Sequence, residues 1–294
     1  MGKKTPSSKR KSIRTTLAIA TIMALLNGFP MPGLASNPQG VVEPGTLPSG
    51  DALQNLDAFM TENNFSDLAV NALSDLRRTR EVIVEVAAEH EIDASRILAH
   101  CDELSMYIIR TEMSGVKKYN VPKVIKGELN AVEMFLYATD TTGGAYAAHA
   151  GQTARAATTT NFKPDDRGNG PGGNVGDNAD AFRHSYWHAL LTISSGEECS
   201  KLWGDAHEFG TAKNFSSLGR FTESLMDLTN NAAGRQLGLE LMQSGSDVIA
   251  DSLLQGILGT GSVSQAVKDW VSDGKMVQMD GNTLIPSTPG GGWQ

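Results

Sequence analysis

One segment of the chain, DAFRHSYWHALL at residues 180–191, concentrates side chains that can bind a metal ion or transfer protons. Asp180, His184 and His188 follow one another there at intervals of four residues. Residues four apart are neighbours on the surface of a helix, so these three side chains form one stripe. Two imidazoles at this spacing can reach the same metal ion, which is why helical metal sites use it.

Two later segments carry further polar side chains at helical spacings. GDAHE places His207 and Glu208 next to each other, and MDLTNNAAGR spaces Asp227, Asn231 and Arg235 four residues apart. Polar groups on otherwise apolar helical faces cost free energy when they are buried without partners. The sequence therefore predicts that they pair with one another, with water or with an ion.

A divalent metal such as zinc is one such partner. The candidate metal ligands are His184, His188, His207 and Asp227. Zinc with three protein ligands and one open position activates a water molecule, with Glu208 or Asp180 as general base or as a group that orients a ligand. The spacing is not that of the zinc-protease motif, because Ser185 stands where that motif has glutamate.

Two other interpretations fit the same residues. A histidine and a carboxylate can act as acid and base without a metal, with Arg183 or Arg235 stabilising an anionic intermediate. Alternatively, the polar side chains form a satisfied layer inside a helical bundle and have no chemical role. The spacing does not decide between these three interpretations.

Together the three segments resemble the signature of a family of bacterial exported proteins of unknown function, written DAFRHxxW, AHE and MDxxNNxxGR. Similar domains occur in secreted proteins and at the ends of polymorphic toxins, and the similarity covers residues 177–286. The resemblance implies a shared polar set, which is Asp180, Arg183, His184, Trp187, His207, Glu208, Asp227, Asn230, Asn231 and Arg235. His188 stands where an Asn is expected in this family. The resemblance carries no established activity.

Helical periodicity dominates the remainder of the chain. Ser66 is a cap for a first long helix, and a second begins at Asp93 or Ser95. A glycine-rich loop over residues 161–178 ends in Asp177, a good cap for the segment with the two histidines. Further helical stretches are AVEMFLYATD, AYAAHAGQTARAA, and residues 196–208, 221–243 and 247–270. GKMVQMDGNTLIP alternates around an Asp-Gly turn, which predicts a hairpin.

The predicted fold is therefore mainly α, a helical bundle with a small C-terminal β-hairpin. An N-terminal helical segment over residues 51–127 precedes a C-terminal helical domain over residues 128–290. Residues 36–50 are rich in proline and glycine and form a linker.

The first 35 residues have the pattern of a secretory signal peptide. A basic start, MGKKTPSSKRKSIR, leads into a short apolar run and then into small residues, with Ala35 before the predicted cleavage point. The run is shorter than the roughly 20 residues that a membrane-spanning helix needs. We expect an exported protein, periplasmic or extracellular, without a transmembrane span after cleavage.

The charge of the chain argues against a nucleic-acid partner. Six of the 25 basic residues and none of the 33 acidic residues lie in residues 1–35, so the remainder carries a formal net charge of −14. Nucleic-acid binding draws most of its affinity from neutralised phosphates. A nuclease with a local basic cleft remains compatible with this charge.

The chain has two cysteines, Cys101 and Cys199. The sequence is compatible both with a disulfide between them and with two free thiols.

The leading functional hypothesis is an exported hydrolase with a polar pocket between the motif helices. Its analogues at the level of fold are the all-helical zinc phosphodiesterases, so the reaction class is phosphodiesterase or lipase-like. One alternative is a non-enzymatic envelope or secreted interaction protein with a buried polar layer. The other is an interbacterial toxin domain. The substrate is not indicated by the sequence.

Overall fold

The computed structural model describes residues 55–122, 127–162, 176–244 and 261–287. The predicted signal peptide, the linker, most of the glycine-rich loop and the first part of the predicted helix 247–270 lie outside these ranges. All ten polar residues of the signature lie within the described range 176–244.

The fold is mainly α with a small antiparallel hairpin, as predicted. The helices are α1 (Leu56–Glu62), α2 (Asp67–Glu89), α3 (Ser95–Met113), α4 (Ala131–Thr139), α5 (Thr141–Asn161), α6 (Asn178–Ser195), α7 (Glu197–Phe209), α8 (Leu218–Gln243) and α9 (Ser262–Ser272). A short 3₁₀ turn, Ala212–Phe215, lies between α7 and α8. None of these described helices has a stretch long and apolar enough to cross a membrane.

Side-chain caps place the starts of several helices. Ser66 accepts a hydrogen bond from the Ala69 backbone N–H at the start of α2, and the Asp93 carboxylate accepts from the Ser95 N–H at the start of α3. Asp177 caps α6 by accepting from the backbone N–H groups of Ala179 and Asp180. Each of these satisfies a donor that the first helical turn leaves unpaired. The caps predicted at Ser66 and Asp177 are confirmed.

Helix α6 carries DAFRHSYWHALL and lies at the centre of the packing, against α5, α7, α8 and α9. It approaches α8 closely because α8 has glycine at two contact positions, Gly234 and Gly238. A Cβ on Gly234 would overlap with the Ser185 backbone, and one on Gly238 would lie 3.0 Å from the Ala189 carbonyl oxygen. This close approach brings side chains of α6 and α8 together.

Two buried apolar clusters surround this centre. The larger includes residues of α1, α2 and α3 together with Phe135 of α4, Trp203 and Phe209 of α7, and Phe221 of α8. The smaller joins the second half of α5 with α6 and α9. The larger cluster thus includes residues on both sides of position 127.

The hairpin pairs β1 (Val277–Asp280) with β2 (Thr283–Pro286) around a two-residue loop. Gly281 opens the loop with φ of 61°, a value that favours glycine. The hairpin is fixed to α8 by Asn230, whose side-chain amide donates to the Val277 carbonyl and accepts from the Val277 N–H at 2.9 and 3.0 Å. Asn230 therefore acts as a substitute strand partner.

The two cysteines are free thiols. Cys101 is buried in α3 and Cys199 is partly buried in α7. Burial raises the pKa of each thiol to about 12, so neither is ionised at neutral pH. The disulfide that the sequence left open is absent from this structure.

Candidate metal centre

Three buried side chains from two helices converge between α6 and α8. Asp180 and His184 come from the first two turns of α6, and Asp227 comes from α8. Each offers one ligand atom, and these atoms all lie within 4.8 Å of one another. His184 Nε2 lies 3.6 Å from an Asp180 oxygen and 3.4 Å from Asp227 Oδ1. The three residues are 1%, 4% and 7% exposed, so bulk water does not solvate their charges.

Asn231 determines which nitrogen of His184 carries the proton. Its Oδ1 lies 3.0 Å from His184 Nδ1, and since an amide oxygen only accepts, Nδ1 carries the proton. In neutral His184 the lone pair is then on Nε2, pointing toward Asp180 and Asp227. Burial lowers the pKa of His184 well below its usual value, and the nearby charge of Arg183 lowers it further. The imidazole is therefore neutral at pH 7.

Three electron-rich atoms therefore face one another in this group. They are the lone pair of His184 Nε2, an oxygen of Asp180 and Oδ1 of Asp227, and the last has no hydrogen-bond partner. Such an arrangement is repulsive unless a proton or a cation lies between the atoms. The geometry can accommodate a metal ion on these three ligands.

Asp180 is held by two donors outside this group. The Gly176 backbone N–H donates to Asp180 Oδ2 at 2.7 Å, and the Arg183 guanidinium forms an ion pair with Oδ1. Burial raises the pKa of Asp180, while Arg183 and the Gly176 N–H act in the opposite direction. These contacts fix the orientation of the carboxylate, as a second layer of partners does in metal sites.

Glu208 of α7 adds a third buried carboxyl group. It is 2% exposed, and its Oε1 has no hydrogen-bond partner. Burial raises the pKa of Glu208 to about 7, with His207 lowering it and Asp180 raising it further. Burial, Glu208 and Asp180 together raise the pKa of Asp227 well above its usual value. The pKa of Glu208 suits a general base at neutral pH.

His207 lies beside the three-residue group and is not one of its ligands. Its ring centroid is 6.3 Å from that of His184, and its side chain is 39% exposed. Its Nδ1 is 3.0 Å from the buried Glu133 carboxylate. Burial disfavours the charged ring, but the hydrogen bond to Glu133 and the charge of Glu208 outweigh this and raise the pKa of His207. His207 can present a positive charge at the edge of the site.

The Trp187 ring lies between those of His207 and His188. Its indole N–H donates to the Ala147 carbonyl at 3.1 Å, and its ring lies edge-on to His207 at 5.3 Å between centroids. On its other side the ring is 4.6 Å from that of His188. Trp187 therefore forms an apolar wall of the site.

His188, proposed from the spacing as a ligand, faces α7. Its Nδ1 is 2.8 Å from the Ser200 hydroxyl, and its Nε2 lies against Gly204. Arg235 interacts electrostatically with Asp205 and Glu197, both on α7, and its charge also lowers the pKa of His188. The structure thus places His188 and Arg235 toward α7, outside the group formed by Asp180, His184 and Asp227.

Glu133 is a residue of the site that the sequence analysis did not identify. It is the third residue of α4 and belongs to a capping box with Asn130, a pattern visible in the sequence as Asn-x-x-Glu before an apolar run. One oxygen accepts from the Asn130 N–H and the other contacts His207. The capping pattern predicts the first contact, whereas the second depends on tertiary packing.

The comparisons with known proteins give a domain without a known role. Residues 137–259 match a family described as a domain of unknown function, DUF6973. The match covers α5 to α8 and hence all three residues of the candidate centre. No curated protein matches the chain, and no solved structure does either.

Proposed function

We propose that this chain is a metal-dependent hydrolase whose divalent cation is bound by Asp180, His184 and Asp227. The observation that supports this most directly is the buried convergence of two carboxylate oxygens and a neutral imidazole nitrogen, in which Asp227 Oδ1 has no hydrogen-bond partner. Three protein ligands leave positions for water and substrate, which is the pattern of catalytic rather than structural metal sites. Carboxylate and imidazole ligands suit zinc or manganese.

The surrounding side chains supply the remaining parts of such a site. A divalent cation there would lower the pKa of a bound water and polarise a substrate oxygen. Glu208, with a pKa of about 7, would accept the proton of the attacking water. Protonated His207 at the exposed edge would stabilise negative charge on a substrate. Phosphodiesters and lipid esters are the substrate classes to test first.

The metal site is tested by binding measurements on protein treated with a chelator. We expect about one equivalent of zinc or manganese to bind, and Asp180→Asn, His184→Ala and Asp227→Asn to weaken binding at least about 100-fold, more than the loss typical of an outer partner. His100→Ala is the matched control, because His100 also contacts an aspartate, Asp205, at 3.3 Å. Circular dichroism verifies the fold of each variant.

The outcomes separate the alternatives. If folded wild-type protein binds no divalent ion, these residues form a buried polar layer. In that layer a proton on Asp227 lies between the Asp227 carboxyl group and His184. If the ion binds, Glu208→Gln should keep the metal stoichiometry and lower the turnover of bis(p-nitrophenyl) phosphate or p-nitrophenyl butyrate by about 10²–10⁴-fold. Equal turnover in Glu208→Gln would remove Glu208 from the mechanism.

We also propose that the protein is exported to the periplasm or beyond. The support is the basic start and apolar run of residues 1–35. N-terminal sequencing of the protein from the extracytoplasmic fraction should begin at Ser36. Leu25→Arg, in the apolar run, should retain the uncleaved chain in the cytoplasm, whereas the control Val41→Arg should not. Cytoplasmic wild-type protein that begins at Met1 would contradict export.

A further inference from the structure

Two buried nitrogen atoms without a hydrogen-bond partner lie beside the same glycine of α7. They are Nε2 of His188 and Nδ2 of Asn231, and both residues are 0% exposed. A Cβ on Gly204 would lie 2.9 Å from His188 Nε2 and 3.2 Å from Asn231 Nδ2. The two nitrogens therefore approach one point, where the absent side chain of Gly204 leaves room for them.

The contacts of Ser200 determine the chemical character of His188 Nε2. The Ser200 hydroxyl donates its one proton to the His188 carbonyl oxygen at 3.2 Å. Its oxygen is therefore the acceptor in the 2.8 Å contact with His188 Nδ1, so Nδ1 carries the ring proton. Nε2 of neutral His188 is then an acceptor, whereas Nδ2 of Asn231 is a donor. The two unpartnered atoms are complementary.

We infer that His188 is a positioning residue that acts on the candidate metal centre through Asn231. Its Nε2 accepts a hydrogen bond from one buried water beside Gly204, and that water accepts a hydrogen bond from the Asn231 amide. This keeps the amide nitrogen of Asn231 on the side of α7 and its oxygen on His184 Nδ1. His188 thereby holds the proton of His184 on Nδ1 and leaves Nε2 facing Asp180 and Asp227.

His188 determines the orientation of the Asn231 side-chain amide because the opposite orientation is unfavourable. Reversal would turn the Asn231 oxygen toward the acceptor His188 Nε2, which is unfavourable in a buried site. It would also turn the amide N–H toward His184 Nδ1 and drive the proton of His184 to Nε2. There the proton would occupy the position between the imidazole and the two carboxylates.

This function of His188 is a property of this chain rather than of the signature that it resembles. An Asn at position 188 would place its amide at the level of the ring Nδ1, within reach of Ser200, and would have no atom where Nε2 lies. A Gln would place an amide group at the level of Nε2. The two amides therefore form a matched pair of substitutions.

The tautomer of His184 can be measured without any metal. In metal-free, ¹⁵N-labelled protein at pH 7.5, long-range ¹H–¹⁵N correlation spectra should show both His184 and His188 with the proton on Nδ1. H188Q should retain this tautomer of His184, and H188N should lose it in favour of a mixture or of the Nε2–H form. The control H100N should leave the His184 signals unchanged.

Several results would overturn the inference. A wild-type spectrum with the proton of either ring on Nε2 would do so without any variant, as would a folded H188N with unchanged His184 tautomer. If H188N does not fold, S200A is the second variant. It removes the acceptor of His188 Nδ1–H and should likewise weaken the preference of His184, and an unchanged tautomer in S200A would count against the inference.

A second readout rests on the proposed metal site. H188N should bind zinc or manganese about 10-fold more weakly than wild type, and H188Q should bind nearly as well, because outer partners typically contribute 10–100-fold. If the tautomers behave as expected but wild type binds no metal, the proposed function fails and the positioning role of His188 stands. If metal binds and H188N neither changes the tautomer nor the affinity, the positioning role fails and the metal site stands.

Discussion

At the residue scale, the candidate centre holds more buried negative charge than its cationic neighbours balance. Asp180, Asp227 and Glu208 are each at least 90% buried, and the pKa of each is raised. Arg183 pairs with Asp180, and His207 is shared between Glu133 and Glu208. Without a cation, the folded protein must therefore take up protons to remain stable.

Glu208 provides a direct test of this proton uptake. Because its pKa is about 7 in the folded protein and near 4.5 when the chain is unfolded, the folded state binds more protons between these pH values. The contribution of Glu208 to the free energy of unfolding is therefore present below pH 4.5 and is lost as the pH rises to 7. In urea unfolding without metal, we therefore expect the stability of E208Q relative to wild type to increase as the pH rises from 4.5 to 7. The difference in the free energy of unfolding should change by up to about 3 kcal/mol.

Comparing E208Q with wild type cancels the contribution of the histidines to the pH dependence of stability, which has the opposite sign. Burial lowers the pKa of His184 and His188, so their contribution to stability is lost as the pH falls below about 6.5. This loss is common to both proteins. The control is E103Q, at a glutamate whose side chain is 65% exposed, and its curve should follow that of wild type. Parallel curves for E208Q and wild type would show that Glu208 is ionised when buried.

The sequence placed Asp180, His184 and His188 on one stripe, and the structure shows where that prediction ends. Each step of four residues turns the helix about 40° beyond a full turn, so His188 is rotated about 80° from Asp180. That rotation directs Asp180 and His184 to α8 and His188 to α7. The contact with Asp227 follows from the packing of two helices, which spacing within each helix does not specify.

At the element scale, the site depends on how closely α6 and α8 approach. Both helices were predicted from the sequence, and Leu218–Gln243 begins within three residues of the predicted start at Phe221. In the sequence, the close approach is indicated by the glycine near the end of MDLTNNAAGR, Gly234. Without knowledge of the partner helix, however, a helical glycine indicates only lower helix propensity.

We expect Gly234→Ala to destabilise the protein by about 2–3 kcal/mol, because a Cβ there would overlap with the Ser185 backbone, which cannot move independently of α6. Gly219→Ala is the control in the same helix. Its Cβ would meet Asn282 Oδ1 at 3.5 Å, an ordinary contact, so better helix propensity should stabilise by about 0.5–1 kcal/mol. Urea unfolding measures both changes. Equal effects of the two substitutions would contradict the close approach.

A side chain at position 234 would displace α6 from α8, and this displacement would also affect the site. Since Asp227 and Asn231 lie one to two turns before Gly234, a wider separation of α6 and α8 lengthens the distances from His184 to both. If the proposed metal site is correct, Gly234→Ala weakens metal binding even where the protein remains folded, whereas Gly219→Ala does not. The element that positions the ligands is therefore as important as the ligands themselves.

At the scale of the whole molecule, the N-terminal helices and the matched domain are joined by packing and by polar contacts. Leu104 of α3 and Phe135 of α4 belong to the same buried cluster as Trp203 of α7. The side chain of Asn130 donates to the Ala206 carbonyl at 2.9 Å, next to the Glu133–His207 contact. The sequence predicted helices on both sides of residue 127, but which helices share a core depends on contacts between segments distant in the chain.

This shared core predicts that the protein unfolds in one cooperative transition. Far-ultraviolet circular dichroism follows all helices, whereas tryptophan fluorescence follows residues after position 127, since the four tryptophans all lie there. We expect the two urea curves to coincide. Leu104→Ala, which creates a cavity in α3 at a side chain 1% exposed, should shift both curves equally, by about 2–5 kcal/mol. A shift in circular dichroism with unchanged fluorescence would show that the N-terminal helices unfold separately, and the site would then not require them.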